Sequence, residues 1–120
     1  MAKVRSLPVL LKLAQASFNK WIRLRDRFKG CISCGATIEQ AGHYYSQGHH
    51  SALRFNEINV NGQCVRCNYH LHGNQIGYRN GLMSRYSKQE LDLLDSVATR
   101  NPVKKWSRVE LEFIINHYKL

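Results

Sequence analysis

Cys31-Ile32-Ser33-Cys34 and Cys64-Val65-Arg66-Cys67-Asn68 decide how this chain folds. Two thiolates separated by two residues reach one ion without strain, and zinc binds four such sulfurs tetrahedrally at about 2.3 Å. Two of these knuckles complete a closed structural site. The intervening segment, residues 35–63, is longer than a zinc ribbon needs, so the metal would pinch off a loop able to hold its own hairpin. Two disulfides are the other use of four cysteines, but they require an exported chain. The apolar stretch Leu7–Leu11 before Ala14-Gln15-Ala16 is broken by Lys12 and too short for a signal core. No apolar run approaches a membrane span. A reducing, cytoplasmic setting with no membrane attachment is expected, where thiols stay free for metal.

The 120 residues suit one domain with a modest core that a metal would brace. Lysine and arginine number 18 against 8 acidic residues, for a formal charge of +10. The excess is concentrated in residues 1–30, where eight basic side chains face Asp26 alone. Such a balance points to a polyanionic partner, most simply nucleic acid. A solubilising surface or an anionic membrane face would account for the same charge.

Three regions follow from periodicity and punctuation. Residues 1–30 read as a basic amphipathic helix opened by Ser6 and Pro8 and stopped by Gly30, with Leu7, Leu10, Leu11, Ala14, Phe18, Trp21, Ile22 and Phe28 on its apolar face. Lys12, Lys20, Arg23 and Arg27 share another face, a stripe that would follow a phosphate backbone. Residues 31–85 form the knuckle core. Ala36–Ile38, His43–Tyr45 and Leu53–Phe55 predict an irregular antiparallel hairpin, and a helix is predicted after Cys64, weakened by Gly73, Gly77 and Gly81. Glycine at every fourth position signals close backbone approach or a helix broken near Gly73. Residues 86–120 hold two further helices, each behind a capping box, Ser87-Lys88-Gln89-Glu90 and Ser107-Arg108-Val109-Glu110. The expected class is α+β.

Phosphodiester hydrolysis needs a base for the attacking water and a cation for the phosphate charge. His43 and Asn68 suit those tasks. One lies at the expected end of the first strand and the other follows the last cysteine, so zinc would set their separation. His49 and His50 read as loop residues, and Tyr44, Tyr45, Tyr69 and Tyr78 as packing or hairpin residues, with stacking of an aromatic on an unpaired base as the alternative.

Together, Cys31-Ile32-Ser33-Cys34, His43, Asn59 and Cys64-Val65-Arg66-Cys67-Asn68 resemble the HNH, or ββα-metal, nucleases. More narrowly, Ala41-Gly42-His43-Tyr44, Leu53-Arg54-Phe55-Asn56-Glu57, Gly62-Gln63-Cys64, His70, Gly73-Asn74 and Lys104-Lys105-Trp106 look like the NinG/Rap recombination nucleases of lambdoid phages. The resemblance implies a zinc-braced ββα-metal core and magnesium-dependent cleavage of branched DNA such as Holliday junctions and D-loops, by a homodimer inside a bacterial host cell. It implies His43 as general base, Asn68 as ligand of the catalytic metal and Asn59 as the residue that orders the hairpin. Many relatives carry an aspartate before the histidine, where this chain has Gly42; the second ligand stays open between His70 and His72. Lys12, Lys20, Arg23, Arg27, Arg66 and Arg79 are the expected DNA contacts. A zinc-stabilised DNA-binding module without catalysis, or a nuclease for ordinary duplex DNA, are the alternatives.

Overall fold

The computed structural model describes residues 4–120; Lys3 of the basic segment lies outside them. Four helices surround a two-stranded sheet: α1 (Leu7–Asp26), β1 (Gln40–His43), β2 (Val60–Gln63), α2 (Gln75–Arg85), α3 (Lys88–Arg100) and α4 (Arg108–His117). A short 3-10 turn, Ser51–Leu53, interrupts the β1–β2 connection, and a π-helical turn, Arg66–His70, follows the second knuckle. The class is α+β, as the pattern predicts.

The Ser6 hydroxyl caps α1 at the Val9 amide, with proline in the first turn. Leu10, Ala14, Phe18 and Ile22 pack with Phe55, Val60, the α4 residues Leu111 and Ile114, and Tyr118 just beyond that helix. Burying each large side chain contributes about 1.5–3 kcal/mol, so this face fixes α1 across α4 and the sheet. A second core joins Ile32 and Leu53 to Tyr78 and Leu82 of α2 and to Leu91, Leu94 and Ala98 of α3. Both predicted capping boxes form, Ser87 with Glu90 and Ser107 with Glu110.

Local interactions move several boundaries from their expected places. Helix α1 ends at Asp26 instead of running to Gly30, because the chain turns with Lys29 N–H donating to the Asp26 carbonyl. Phe28 is thereby expelled from the apolar face and stands 89% exposed. Ala36–Ile38 lies outside the strands; β1 pairs antiparallel with β2 from Gln40 opposite Gln63 to His43 opposite Val60. Leu53–Phe55 is a tight turn closed by backbone bonds from Leu53 to His50 and from Asn56 to Leu53. The helix expected from Cys64 breaks after His70, where His72, Gly73 and Asn74 all take positive φ. The later glycines do mark close approach: a Cβ on Gly77 would strike the Ser33 carbonyl, and one on Gly81 the Ile32 carbonyl. Helix α2 therefore lies directly on the backbone of the first knuckle.

Asp26 is fully buried and joins α1 to the sheet. Its carboxylate accepts from Gly62 N–H at 2.8 Å and from Arg25 at 2.7 and 2.9 Å. Arg25 extends the clamp to the Glu57 and Val60 carbonyls. Burial opposes the charge, but these donors hold the carboxyl below its ordinary value of 3.8. The contribution is therefore complete above that value and is lost as pH falls through the folded pKa. Asp26→Ala should lower stability by about 3 kcal/mol in urea titrations at neutral pH; an unchanged midpoint would refute this role.

Candidate functional site

The four cysteines come together as the knuckle spacing predicts. Their sulfurs all lie within 4.8 Å of one another, with Cys31, Cys64 and Cys67 buried and Cys34 exposed, so the cluster can hold one zinc ion. Cys34 Sγ and Cys64 Sγ are 3.6 Å apart. The Cys67 amide donates to Cys64 Sγ and the Asn74 side chain to Cys67 Sγ, both at 3.4 Å, which suits sulfurs carrying negative charge. Burial and the neighbouring thiols push Cys67 up to about 12, as expected where a cation must compensate gathered thiolates. Among the described residues no other group of three or more His, Cys, Asp or Glu side chains gathers around one point.

Beside this cluster, β1, β2 and the π-helical turn converge. Gln63, on β2 just before Cys64, is fully buried; its amide nitrogen donates to Ser33 Oγ at 2.8 Å and to the Gly73 carbonyl at 2.9 Å. One side chain thus ties the two knuckles together. Its Oε1 has no hydrogen-bond partner and points at Gly42, into the space a side chain on residue 42 would occupy. Asn68 Oδ1 lies 2.9 Å from that same point. The Asn68 amide nitrogen donates to Gln40 Oε1 at 2.8 Å, so Gln40 orients the Asn68 oxygen toward Gly42. A side chain at position 42 has no room here, because Gln63 Oε1 occupies the place its Cβ would take.

His43 ends β1. Its Nε2 lies 3.1 Å from the Arg54 carbonyl, which can only accept, so Nε2 carries the proton and Nδ1 keeps its lone pair. Arg54 is held in turn by Gln15 of α1, at 2.9 Å to its guanidinium and 3.2 Å to its carbonyl. Burial, helped by the Arg54 charge, lowers the His43 pKa below 6.5, leaving the ring neutral at physiological pH. Asn59, also fully buried, accepts from Tyr45 N–H at 2.8 Å and donates to the Tyr45 and Leu53 carbonyls at 3.0 and 3.1 Å. It fastens the hairpin at Tyr45 and Leu53, and its side-chain hydrogen bonds go to those residues.

The remaining expected residues divide by environment. His72 does not share a helical face with Asn68, since the π-helical turn ends at His70 and His72 has φ 51°; both histidines are exposed. Lys12, Lys20, Arg23, Arg27 and Arg66 are exposed, although the Arg27 guanidinium lies over the Phe28 ring. Arg79 is not free for phosphate, because Asp95 holds it in a bidentate pair at 2.8 and 2.9 Å. Gln40, Gln63 and the Arg54 carbonyl were not singled out from sequence. No local pattern marks them, because Gln40 and Gln63 come together only through the pairing of β1 with β2.

Compared with known proteins, the chain matches the family profile described as Bacteriophage Lambda NinG protein over residues 1–120. Protein ninG of Escherichia phage lambda is 39% identical over 112 residues, covering 91% of this chain and 53% of that protein. Protein ninG of Salmonella phage P22 is 38% identical over 112 residues, covering 91% and 54%. The chain spans about half the length of these curated relatives. No solved structure matches it significantly.

Gly42→Asp should destabilise the protein by about 1–3 kcal/mol through overpacking, because Gln63 is anchored at its amide nitrogen and cannot withdraw. Adding Gln63→Ala should recover part of that loss. Urea titration of the zinc-loaded single and double variants reads the coupling, and a fully stable Gly42→Asp protein would show that the space is open.

Proposed function

This chain belongs to the NinG family of lambdoid-phage proteins, and we propose that it is a metal-dependent endonuclease that hydrolyses phosphodiester bonds in branched DNA. The observation that carries the reading is the His43 imidazole, neutral and aimed by the Arg54 carbonyl, one residue from the point where Asn68 Oδ1 and Gln63 Oε1 meet. Zinc in the cysteine cluster would be structural, since four thiolates leave it no open position.

The donor set beside Gly42 suits a second ion of hard character. Magnesium takes oxygen ligands, keeps several waters and shares substrate phosphate oxygens, and the orphaned Gln63 Oε1 next to the oriented Asn68 Oδ1 offers amide oxygen in the place an acid would occupy. Asn68 would hold the ion. When bound, such a cation neutralises charge developing on phosphate.

The chain's own residues do the rest. His43 Nδ1 takes a proton from the attacking water, while Nε2–H on the Arg54 carbonyl keeps the ring from rotating and supports the imidazolium as it forms. Gln15 fixes that carbonyl from α1, so the base is positioned by the same helix whose outer face carries Lys12, Lys20 and Arg23. Those cations, with Arg66 next to the last cysteine, attract the DNA backbone by counterion release. A homodimer would present two such sites to the two strands of a junction.

His43→Ala should lower magnesium-dependent cutting of a labelled four-way junction by at least about a hundredfold while leaving junction binding intact. Cutting at the parental rate would defeat the assignment, and equal cutting of a linear duplex with the same arms would favour a general duplex nuclease. The working base is the neutral ring, so activity should fall as pH drops through its pKa, with the acid limb of kcat/KM below pH 6.5. A limb above that value would contradict a desolvated His43.

A further inference from the structure

Tyr69 differs from the other five tyrosines in the chain. Tyr45, Tyr78, Tyr86 and Tyr118 each donate their hydroxyl to a protein acceptor, at 2.6, 2.6, 3.3 and 2.7 Å. Tyr44 is wedged between Tyr45 and Tyr78. Tyr69 is 71% exposed and meets only the His70 ring edge-on at 5.1 Å among the aromatic contacts of the described residues. An aromatic ring on the surface of a strongly basic protein, next to the side chain that faces Gly42, is poorly explained by packing.

Its backbone, by contrast, is firmly held. The π-helical turn is closed by Leu71 N–H on the Arg66 carbonyl at 2.8 Å, Asn68 N–H on the Cys64 carbonyl at 3.0 Å and Gly73 N–H on the Cys67 carbonyl at 2.8 Å. Since Cys64 and Cys67 belong to the cluster that can hold zinc, the ring is carried on the second knuckle itself. Single π-turns concentrate at functional sites, and here the turn places Asn68 against Gln40 and leaves Tyr69 in solvent. The exposed Arg66 lies at the start of the same turn. Cation and ring together match a nucleotide, with phosphate against guanidinium and base against the aromatic face. Phe28 is still more exposed, but the Arg27 guanidinium covers its ring at 4.7 Å.

We propose that Tyr69 is a stacking platform for a base left unstacked at the branch point of the DNA, so that the protein selects branched substrates through exposed base faces rather than through sequence. This rests on the reading of the chain as a branched-DNA nuclease and assigns its substrate selection to one side chain. In paired duplex every base face is already covered by its neighbours, and the ring has no partner. At a branch an unstacked base is available without the loss of duplex stacking. Base–aromatic stacking is strong enough to change affinity about tenfold or more.

The test uses the zinc-loaded 120-residue chain carrying His43→Ala, without magnesium, and a four-way junction with 2-aminopurine beside the branch point. Binding should change the 2-aminopurine emission in the way stacking does. Adding Tyr69→Ala should abolish that change and weaken junction affinity about tenfold while leaving duplex affinity unchanged. Tyr69→Phe and Tyr69→Trp should restore both. Parental emission and affinity with alanine, an equal loss on junction and duplex, or a phenylalanine variant as weak as alanine would each overturn the stacking role. The readout is separate from chemistry: intact stacking by a protein that cuts no DNA would sink the nuclease reading and leave this one standing.

Discussion

Closure of the two knuckles around one point is the constraint on which the rest of the structure depends. The sulfurs of Cys31, Cys34, Cys64 and Cys67 come from segments separated by the whole hairpin, and gathering them within 4.8 Å brings buried thiols against one another. Without a cation this is unfavourable, and metal binding supplies folding energy in such sites. The fold adds a neutral lock beside the charged one. Gln63 bonds to Ser33 of the first knuckle and to Gly73 beyond the second, and α2 lies on the first knuckle through two glycines. The spacing of β1, β2 and the π-helical turn is thus determined twice, by sulfur and by amide.

A two-stranded sheet of four residues per strand is too small to stand alone, and buried polar groups do much of the work of holding it. Asp26 and Arg25 fasten β2 to α1 from one side. From the other, the Tyr78 hydroxyl bonds to the Gly42 carbonyl at 2.6 Å and lies 3.1 Å from the Asn59 carbonyl. Asn59 closes the loop on Tyr45 and Leu53. Each of these side chains reaches specific backbone groups, so they set position more sharply than apolar packing would. That matters for His43, whose orientation passes from α1 through Gln15 and Arg54.

Much of the fold was legible in the sequence because its signals are local. The paired cysteines, the Ser6 cap and both capping boxes act over three or four residues, and each forms where the pattern places it. What escaped depends on contacts between distant residues. Phe28 fits the helical period but lies beyond a helix end that the buried Asp26 and the Lys29 turn determine. His72 stands four residues after Asn68, a spacing that means proximity only if the helix continues, and the positive φ at His72, Gly73 and Asn74 breaks it. Arg79 reads as a free cation until Asp95, on another helix, claims it. At the candidate site His43 and Asn68 could be named from their motif, whereas Gln40 and Gln63 have ordinary identities and acquire meaning only from the oxygens they orient.

The absence of an acid at position 42 bears on electrostatics as well as packing. On the proposed reading, a carboxylate there would have to be brought close to a DNA phosphate, and it would repel the substrate until a divalent ion intervened. Gln63 and Asn68 instead present neutral oxygen to that space, so no carboxylate at position 42 offsets the cations on α1 and Arg66 at long range. On that reading the chain's cationic excess, formally +10 and about +8 once four thiolates bind zinc, would act on the DNA before a second metal is needed. Attraction and chemistry would then be separated: the outer face of α1 would gather phosphate, its inner residue Gln15 holds the Arg54 carbonyl that orients His43, and the neutral amides of Gln63 and Asn68 add no negative charge to that of the zinc thiolates.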